Sequence, residues 1–409
     1  MVTLAVVGAG SRGAGYARHA TGRAEVVAVA DPVPGRRARY PQAAHYADWR
    51  ELAALPRQAD AVVIATQDAD HVEPAVRFAE LGYHILLEKP MAVREEDCRR
   101  IVEAAERAGT VFAVCHVLRY TPYTRTLKDL LDTGRIGEII SVQHLEPVGW
   151  WHQAHSYVRG NWRRTDESTF MLLAKSTHDL DWLVHIMDQP VTRVSSFGGL
   201  KHFTADNRPE GAADRCLDCS VESTCPYSAP RLYMPLAGRD VWPVSVLTDD
   251  LSEEGIERAL RTGPYGRCVY ACDNDVVDHQ VVNMEFASGA TAAFTMTAFT
   301  PQTHRQTRIF GTHGSIDGDG EVLRVTDFVT GVTTKIDTTA AGDGTAAGGH
   351  GGGDEGLVDA FLTAVESGDR TAVLSSPRES LHSHLIAWAA ERSRLDGTTV
   401  TLEGTPHAR

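Results

Sequence analysis

Leu4-Ala5-Val6-Val7, Val26 to Ala30, Ala61 to Ala65 and Tyr83 to Leu87 are short apolar runs without polar alternation, the pattern of strands buried on both faces of a parallel sheet. Between them lie stretches of helical spacing. Val72 to Leu81 is one, and another carries Cys98, Ile101, Val102 and Ala105 on a single face, which makes Cys98 a core residue. Val111 to Val117 closes the series as a last strand. Strand–helix repetition predicts an α/β fold with a doubly wound parallel sheet over residues 1–120. Beyond that point the pattern changes. A helix containing Leu127, Leu130 and Leu131 stops at Gly134, and Ile139 to Glu146, Gln280 to Phe286 and Thr291 to Ala298 alternate as half-buried strands do. Ser288-Gly289 marks a hairpin between the last two. Asp354, followed by Leu357, Phe361, Ala364 and Val365, reads as the cap of an amphipathic helix ending at Gly368. Residues 121–409 are expected to form a second, α+β domain.

The first strand breaks into Gly8-Ala9-Gly10-Ser11-Arg12-Gly13, a G-x-G-x-x-G turn followed by a helix. In such a turn the first glycine allows the sharp bend, the second lets a diphosphate approach the backbone, and the third lets helix and strand pack closely. The phosphates then meet the unpaired N–H groups of the helix start. The second strand ends in Asp31, where a carboxylate accepts from a ribose 2′-OH and repels a 2′-phosphate, so NAD is preferred to NADP. Arg36 or Arg37, folded back toward the ribose, would reverse that preference.

Composition narrows the class. With 54 Asp and Glu against 40 Lys and Arg, the net charge is −14, which disfavours nucleic acid and anionic membrane surfaces as partners. No apolar stretch approaches the ~18 residues that a bilayer crossing needs. Without a targeting segment the expected location is the cytoplasm. Seven cysteines are odd in number and few, which fits a reducing compartment. Five of them cluster: Cys216-x2-Cys219-x5-Cys225, then Cys268 and Cys272, inside a Cys-rich insertion at about 200–275. Cys216, Cys219, Cys225 and Cys268 are either four ligands of a structural zinc ion or simply reduced, unligated thiols. Residues 341–353, nearly all Gly, Ala and Thr, are a lid or a plain linker.

Gly8-x-Gly10-x-x-Gly13, the tripeptide Glu88-Lys89-Pro90, the crossover Gly134-Arg135-Ile136-Gly137-Glu138-Ile139 and a later helix with His178 occur in that order, and in this the chain resembles the Gfo/Idh/MocA family, the glucose–fructose oxidoreductase and inositol dehydrogenase superfamily. The resemblance implies a Rossmann domain followed by a domain with an open, mostly antiparallel sheet forming one wall of the site, and association into a homo-oligomer. It implies NAD contacts at Gly8, Gly10, Ser11, Arg12, Gly13, Asp31, Thr66, His71, Glu88 and Lys89. It makes Lys89 the group that reaches the reacting hydroxyl and His178 the general base or acid. Many members carry an Asp four residues before that histidine. Here the position is Ala174, and Lys175 is expected to take over part of the role as a helical neighbour of His178, unless it is merely solvated.

Between the crossover and that helix stand Trp150, Trp151, His152, His155, Tyr157, Arg159 and Trp162, a density of rings and hydrogen-bonding edges suited to sugar faces and hydroxyls. The other reading is an aromatic corner of the core with a basic rim. His116 and Arg119, after the last parallel strand, are expected to face the same cleft, and the arginines admit an acidic sugar. The expected function is NAD-dependent hydride transfer at a ring carbinol carbon of a carbohydrate. The rivals are a redox-neutral NAD-dependent glycosidase, working by oxidation, elimination, hydration and reduction, and a non-catalytic NAD-bound sensor, which would need neither Lys89 nor His178.

Overall fold

The computed structural model describes residues 1–339 and 351–402. Six strands, β1 (Val2–Val7), β2 (Ala24–Ala30), β3 (Ala44–Tyr46), β4 (Ala61–Ile64), β5 (His84–Leu87) and β6 (Phe112–Val114), form a parallel sheet in the order β3-β2-β1-β4-β5-β6. Val6, Val62, Ile64, Ile85 and Leu87 have no exposed surface, which is why these strands read as unbroken apolar runs. The order reverses between β1 and β4, so the glycine turn after β1 opens at the topological switch point, where open α/β sheets bind ligands. The last parallel strand is shorter than the Val111–Val117 run. It ends at Val114, and the chain turns through His116 into a short 3₁₀ turn, Val117–Tyr120.

A second sheet has nine strands: β7 (Ile139–Pro147), β8 (Val191–Gly199), β9 (His279–Phe286), β10 (Thr291–Thr297), β11 (Gln306–Gly311), β12 (Gly314–Gly318), β13 (Val322–Asp327), β14 (Thr333–Asp337) and β15 (Val400–Thr401). Its order is β14-β13-β12-β11-β7-β10-β9-β8-β15, and every pairing is antiparallel except β7 with β10. Gly289, at φ 89°, makes the β9–β10 hairpin turn. The inward positions of β7 run Val142, His144, Glu146, so the wall changes from apolar to ionisable toward the strand's carboxyl end.

The carboxyl-terminal helices return to the first sheet. Helix Gly353–Ser367 places Leu357, Phe361 and Leu362 against Leu4, Val63 and Val117, and helix Pro377–Asp396 adds Leu381 and Leu385 to the cluster around Ile85 and Ile101. Asp354 does not cap the first of these helices. Gly352 precedes it in a left-handed conformation, and Asp354 in the first turn reaches Arg12 instead, at 2.6 Å. The run 340–350, which holds most of the candidate lid, lies outside the described residues. Phe361→Ala is expected to cost about 3–5 kcal/mol of stability, read as a lower urea midpoint, because it opens a cavity under β1 and β4.

Candidate functional site

Gly8 has φ 87°, and a Cβ there would lie 2.4 Å from the Ala65 carbonyl oxygen; a Cβ on Gly13 would lie 2.0 Å from the Gly8 oxygen. Gly10 meets only the Arg36 guanidinium, 3.8 Å from where its Cβ would be. Helix Ser11–His19 begins with no side-chain cap and no acidic residue in its first turn. The loop is therefore tight where helix and strand touch, open at its middle glycine, and crowned by N–H groups that no side chain satisfies, a cradle that fits a dinucleotide diphosphate. Asp31 is buried beside it, its two carboxylate oxygens accepting from the Ala9 and Val33 N–H groups, each at 2.8 Å. Arg36 does fold back, but onto Asp31 at 3.6 Å, and Arg37 donates to the Asp31 carbonyl, so neither presents an uncommitted charge for a 2′-phosphate.

The side chains of Arg12 and Glu88 bond to each other. Arg12 donates to Glu88, Tyr16 and Asp354, and Tyr16 donates to Glu88 at 2.9 Å. Burial alone would raise the Glu88 carboxyl, but Arg12 and Lys89 hold it below its ordinary value. Glu88 also accepts from the Lys89 N–H at 2.6 Å, which fixes the start of the turn. His71 fixes its end, donating through Nδ1 to the Pro90 carbonyl at 2.7 Å. Thr66, just after β4, donates to the Asp70 carbonyl at 3.1 Å.

Lys89 leaves this braced turn and donates to the Ala174 carbonyl at 2.7 Å. Burial pulls its ammonium below the ordinary lysine value; Glu88 and Asp68 oppose the shift, and Lys175 and Arg12 add to it. The segment carrying Ala174 is not one continuous helix. Met171–Ala174 stops, Lys175 and Ser176 turn, and a new helix runs Thr177–Met187. The break overturns the expectation that Lys175 is the helical neighbour of His178. Lys175 instead pairs with Glu146 at 3.1 Å, and the other oxygen of Glu146 meets Arg305 at 3.0 Å.

His178 is buried, and the two aspartates that follow it on its helix face opposite walls. Asp179 accepts from Arg305 and bonds His144 at 3.1 Å, on the antiparallel sheet. Asp181 accepts from Nε and Nη2 of the Arg119 guanidinium, at 2.7 and 2.8 Å. Both carboxyls are held below their ordinary values: burial would raise them, but Arg305 with His144 at Asp179, and Arg119 with His116 at Asp181, together outweigh it. Arg119 also donates to the Leu374 carbonyl, so it orders the helix rather than reaching a substrate anion. The His116 ring lies edge-on to His178 at 6.2 Å and to His384 at 5.8 Å, with Asp181 3.7 Å from its Nδ1.

Segment 150–162 divides between two destinations. Gln153–Arg159 is a wide π-helical turn, and its His155 and Arg159 face the insertion. His155 bonds Tyr233 at 2.7 Å and stacks on Tyr265, while Arg159 donates to the Arg267 and Tyr227 carbonyls. Both side chains are buried, and the ring of Trp242 also meets His155 edge-on, at 5.2 Å. Trp150 also leans on the insertion, donating to the Pro226 carbonyl at 3.1 Å. His152, Tyr157 and Trp162 continue the other way as a chain of ring contacts, and Trp162 donates to Asp68 at 2.9 Å. Burial lowers the His152 pKa, and the nearby Lys175 and Lys89 ammonium groups lower it further. Trp242, from the insertion, closes this wall, its ring 5.3 Å from Trp151 and 5.0 Å from His152. Nothing in the sequence pointed to Trp242, Glu146 or Arg305. Asp179 and Asp181 stood beside His178, and their spacing of two was the one available signal.

Burial pushes His116 down to about 4, and His155 and His384 down to about 3, from the ordinary 6.5. The unfolded chain therefore takes up these protons first as pH falls. Stability supplied by the neutral rings is complete above about pH 6.5 and declines toward pH 4. The urea midpoint is expected to fall between about pH 7 and pH 5, and the fall to be shallower in His384→Gln.

Comparison with known proteins agrees with this geometry. A family model described as an oxidoreductase family with an NAD-binding Rossmann fold matches residues 2–116, and its companion, a C-terminal alpha/beta domain, matches 128–402. YteT of Bacillus subtilis (strain 168) is 24% identical over 389 residues, covering 90% of this chain and 89% of its own length. The 2,7-anhydro-N-acetylneuraminate hydratase of Escherichia coli (strain K12) is 30% identical over 202 residues, 49% of this chain and 53% of that protein. Among solved structures, levoglucosan dehydrogenase in complex with NADH shares the fold at a TM-score of 0.71 and 20% identity, covering 99% of this chain and 100% of that one. An oxidoreductase from Agrobacterium radiobacter in complex with NAD+, L-tartaric acid and magnesium does so at 0.70 and 18%, covering 98% of each chain. With both of its domains matched, the chain belongs to the Gfo/Idh/MocA family of NAD-binding oxidoreductases.

Proposed function

We propose that the protein moves a hydride between NAD and a ring carbinol carbon of a sugar or sugar derivative. The observation that carries this reading is the Lys89 ammonium, braced by Glu88 at its base and by the Ala174 carbonyl at its tip, beside the helix that presents His178. Lys89 donates to the substrate hydroxyl oxygen and stabilises the charge that develops there, and a lysine pKa lowered by burial makes it the stronger acid. His178 accepts the hydroxyl proton in oxidation and returns it in reduction. NAD, when bound at the glycine loop, supplies the hydride acceptor. His152, Tyr157, Trp151 and Trp242 offer ring faces to the C–H side of the sugar. Two relatives are named 2,7-anhydro-N-acetylneuraminate hydratase and 1,5-anhydro-D-fructose reductase, which supports the substrate class.

A second reading, redox-neutral glycosidase chemistry, is favoured by one feature. Lys175, paired with Glu146, lies close enough to His152 to lower its pKa, and such a pair suits the acid–base work of elimination and hydration at a neighbouring carbon. We also infer that any ion held by the Cys-rich insertion is structural, because a closed four-thiolate shell leaves no open coordination position. The partner of the outer sheet face is inferred to be a second copy. Phe197 pairs across strands with Val281, and both, like Phe310, are exposed apolar side chains, so light scattering of the pure chain is expected to give an oligomer and a monomer would refute it.

The reading is tested with NAD-loaded protein and a panel of free sugars, anhydro sugars and aryl glycosides, following absorbance at 340 nm together with aglycone release. Sustained NADH formation is expected. Aglycone release without net NADH would select the glycosidase reading, and neither signal would refute both. Lys89→Met is expected to lower kcat by about a hundredfold or more while NAD still binds.

A further inference from the structure

Cys216, Cys219, Cys225 and Cys268 line one cavity of about 20 Å³ inside the insertion, away from the cleft, and Arg159 lines it with them. An antiparallel bridge between Arg215 and Arg267 places Cys268 opposite Asp214, whose carbonyl accepts from the Cys268 N–H at 2.8 Å, and leaves Cys216 and Cys268 as diagonal neighbours across the bridge. Thiols distant in sequence are thus brought together by backbone pairing.

Arg159 is the second, independent observation. It is 1% exposed. Its guanidinium donates to the Arg267 carbonyl at 2.7 Å, to the Tyr227 carbonyl at 2.8 Å and to the Cys216 sulfur at 3.5 Å. Its Nη1 has no partner, and among the described residues no carboxylate pairs with it. A guanidinium does not lose its proton in a protein, and a buried charge without a counter-charge is costly. Glu222 also lines the cavity but accepts from the Ser228 hydroxyl and does not pair with Arg159, which leaves the thiols as the groups beside the guanidinium that can become negative. Neutral thiols leave Arg159 uncompensated, whereas thiolates held by a cation compensate it.

We propose that the insertion binds one zinc-class divalent ion through Cys216, Cys219, Cys225 and Cys268, with Arg159 as the buried cation that balances the thiolate shell. Four thiols lose four protons, and the four thiolates and the dication form a centre of net charge −2, which Arg159 reduces to −1 locally. Among the described residues no three His, Cys, Asp or Glu side chains are already arranged to hold a metal, so ion binding must rotate the thiols inward. The cavity is large enough for one water-sized occupant, and such an ion is smaller. Cys272 is outside the set, its thiol donating to the Cys268 carbonyl at 3.3 Å. The ion would stiffen the insertion that supplies Tyr233 and Tyr265 to His155 and Trp242 to the aromatic wall.

The test uses the full-length protein, freed of any histidine tag and kept reduced. Metal content by mass spectrometry is expected to be about one zinc per chain, or to reach that level after incubation with zinc. Cobalt in its place is expected to give the visible ligand-field bands and near-ultraviolet thiolate charge transfer of tetrahedral sulfur coordination. Cys219→Ser and Cys225→Ser are expected to lose the ion and the bands, and Cys272→Ser to keep both. A folded wild-type chain that takes up neither zinc nor cobalt overturns the proposal, as does undiminished tetrahedral-thiolate cobalt in the two serine variants. Should those variants fail to fold, the wild-type metal content and cobalt spectrum still decide the matter.

Discussion

The architecture of the candidate site depends on where the Lys89 ammonium ends up. A cation drawn into the junction between two sheets is tolerable only if its hydrogen bonds are met and opposite charge is near. The Ala174 carbonyl meets one bond, and Glu88 and Asp68 supply the charge. Glu88 is itself held by Arg12 from the glycine loop, and Arg12 also grips Asp354 at the start of a carboxyl-terminal helix. One half-buried lysine thereby links the cofactor loop, the turn after β5, the segment before His178 and the returning end of the chain. At the position where many family members carry an Asp, the bond to the ammonium comes from the Ala174 backbone carbonyl, and the side chain adds no negative charge to the site.

The second constraint is the helix Thr177–Met187. Residues two apart on a helix face nearly opposite directions, so Asp179 and Asp181 pull on different walls. Asp179 binds His144 and Arg305 on the antiparallel sheet, and Asp181 binds Arg119 beside the last parallel strand. Together these bonds fix the helix that carries His178 against both walls. These pairs are buried, and their value here is orientation more than stability, since replacing buried ion pairs by apolar groups is often neutral for stability.

Much of this was legible in the residues, for physical reasons. Strands buried on both faces leave unbroken apolar runs, and β1, β2, β4 and β5 followed theirs closely. The strand β3 has only three residues, none of them buried, and left no such trace. The apolar spacing of Met171 to Trp182 runs straight through the break at Lys175, because both halves bury their apolar side chains in one core. Lys175 was therefore expected beside His178 and is found on Glu146. The aromatic segment was visible as composition, but composition does not say which way each ring points. A wide helical turn sent His155 and Arg159 to the insertion, and only packing reveals that Trp242 comes back from the insertion to meet Trp151.

The central claim is that this site passes a hydride between a sugar carbon and the nicotinamide ring. The most direct measurement is isotopic: the protein is incubated with NAD and a panel of sugars, anhydro sugars and glycosides deuterated at their ring carbinol carbons, and the nicotinamide pool is read by mass spectrometry. The account predicts deuterium on the nicotinamide ring from one ring position of the accepted substrate, and its loss in His178→Ala. Simultaneous binding of NAD and sugar with no deuterium transferred from any ring position would contradict it.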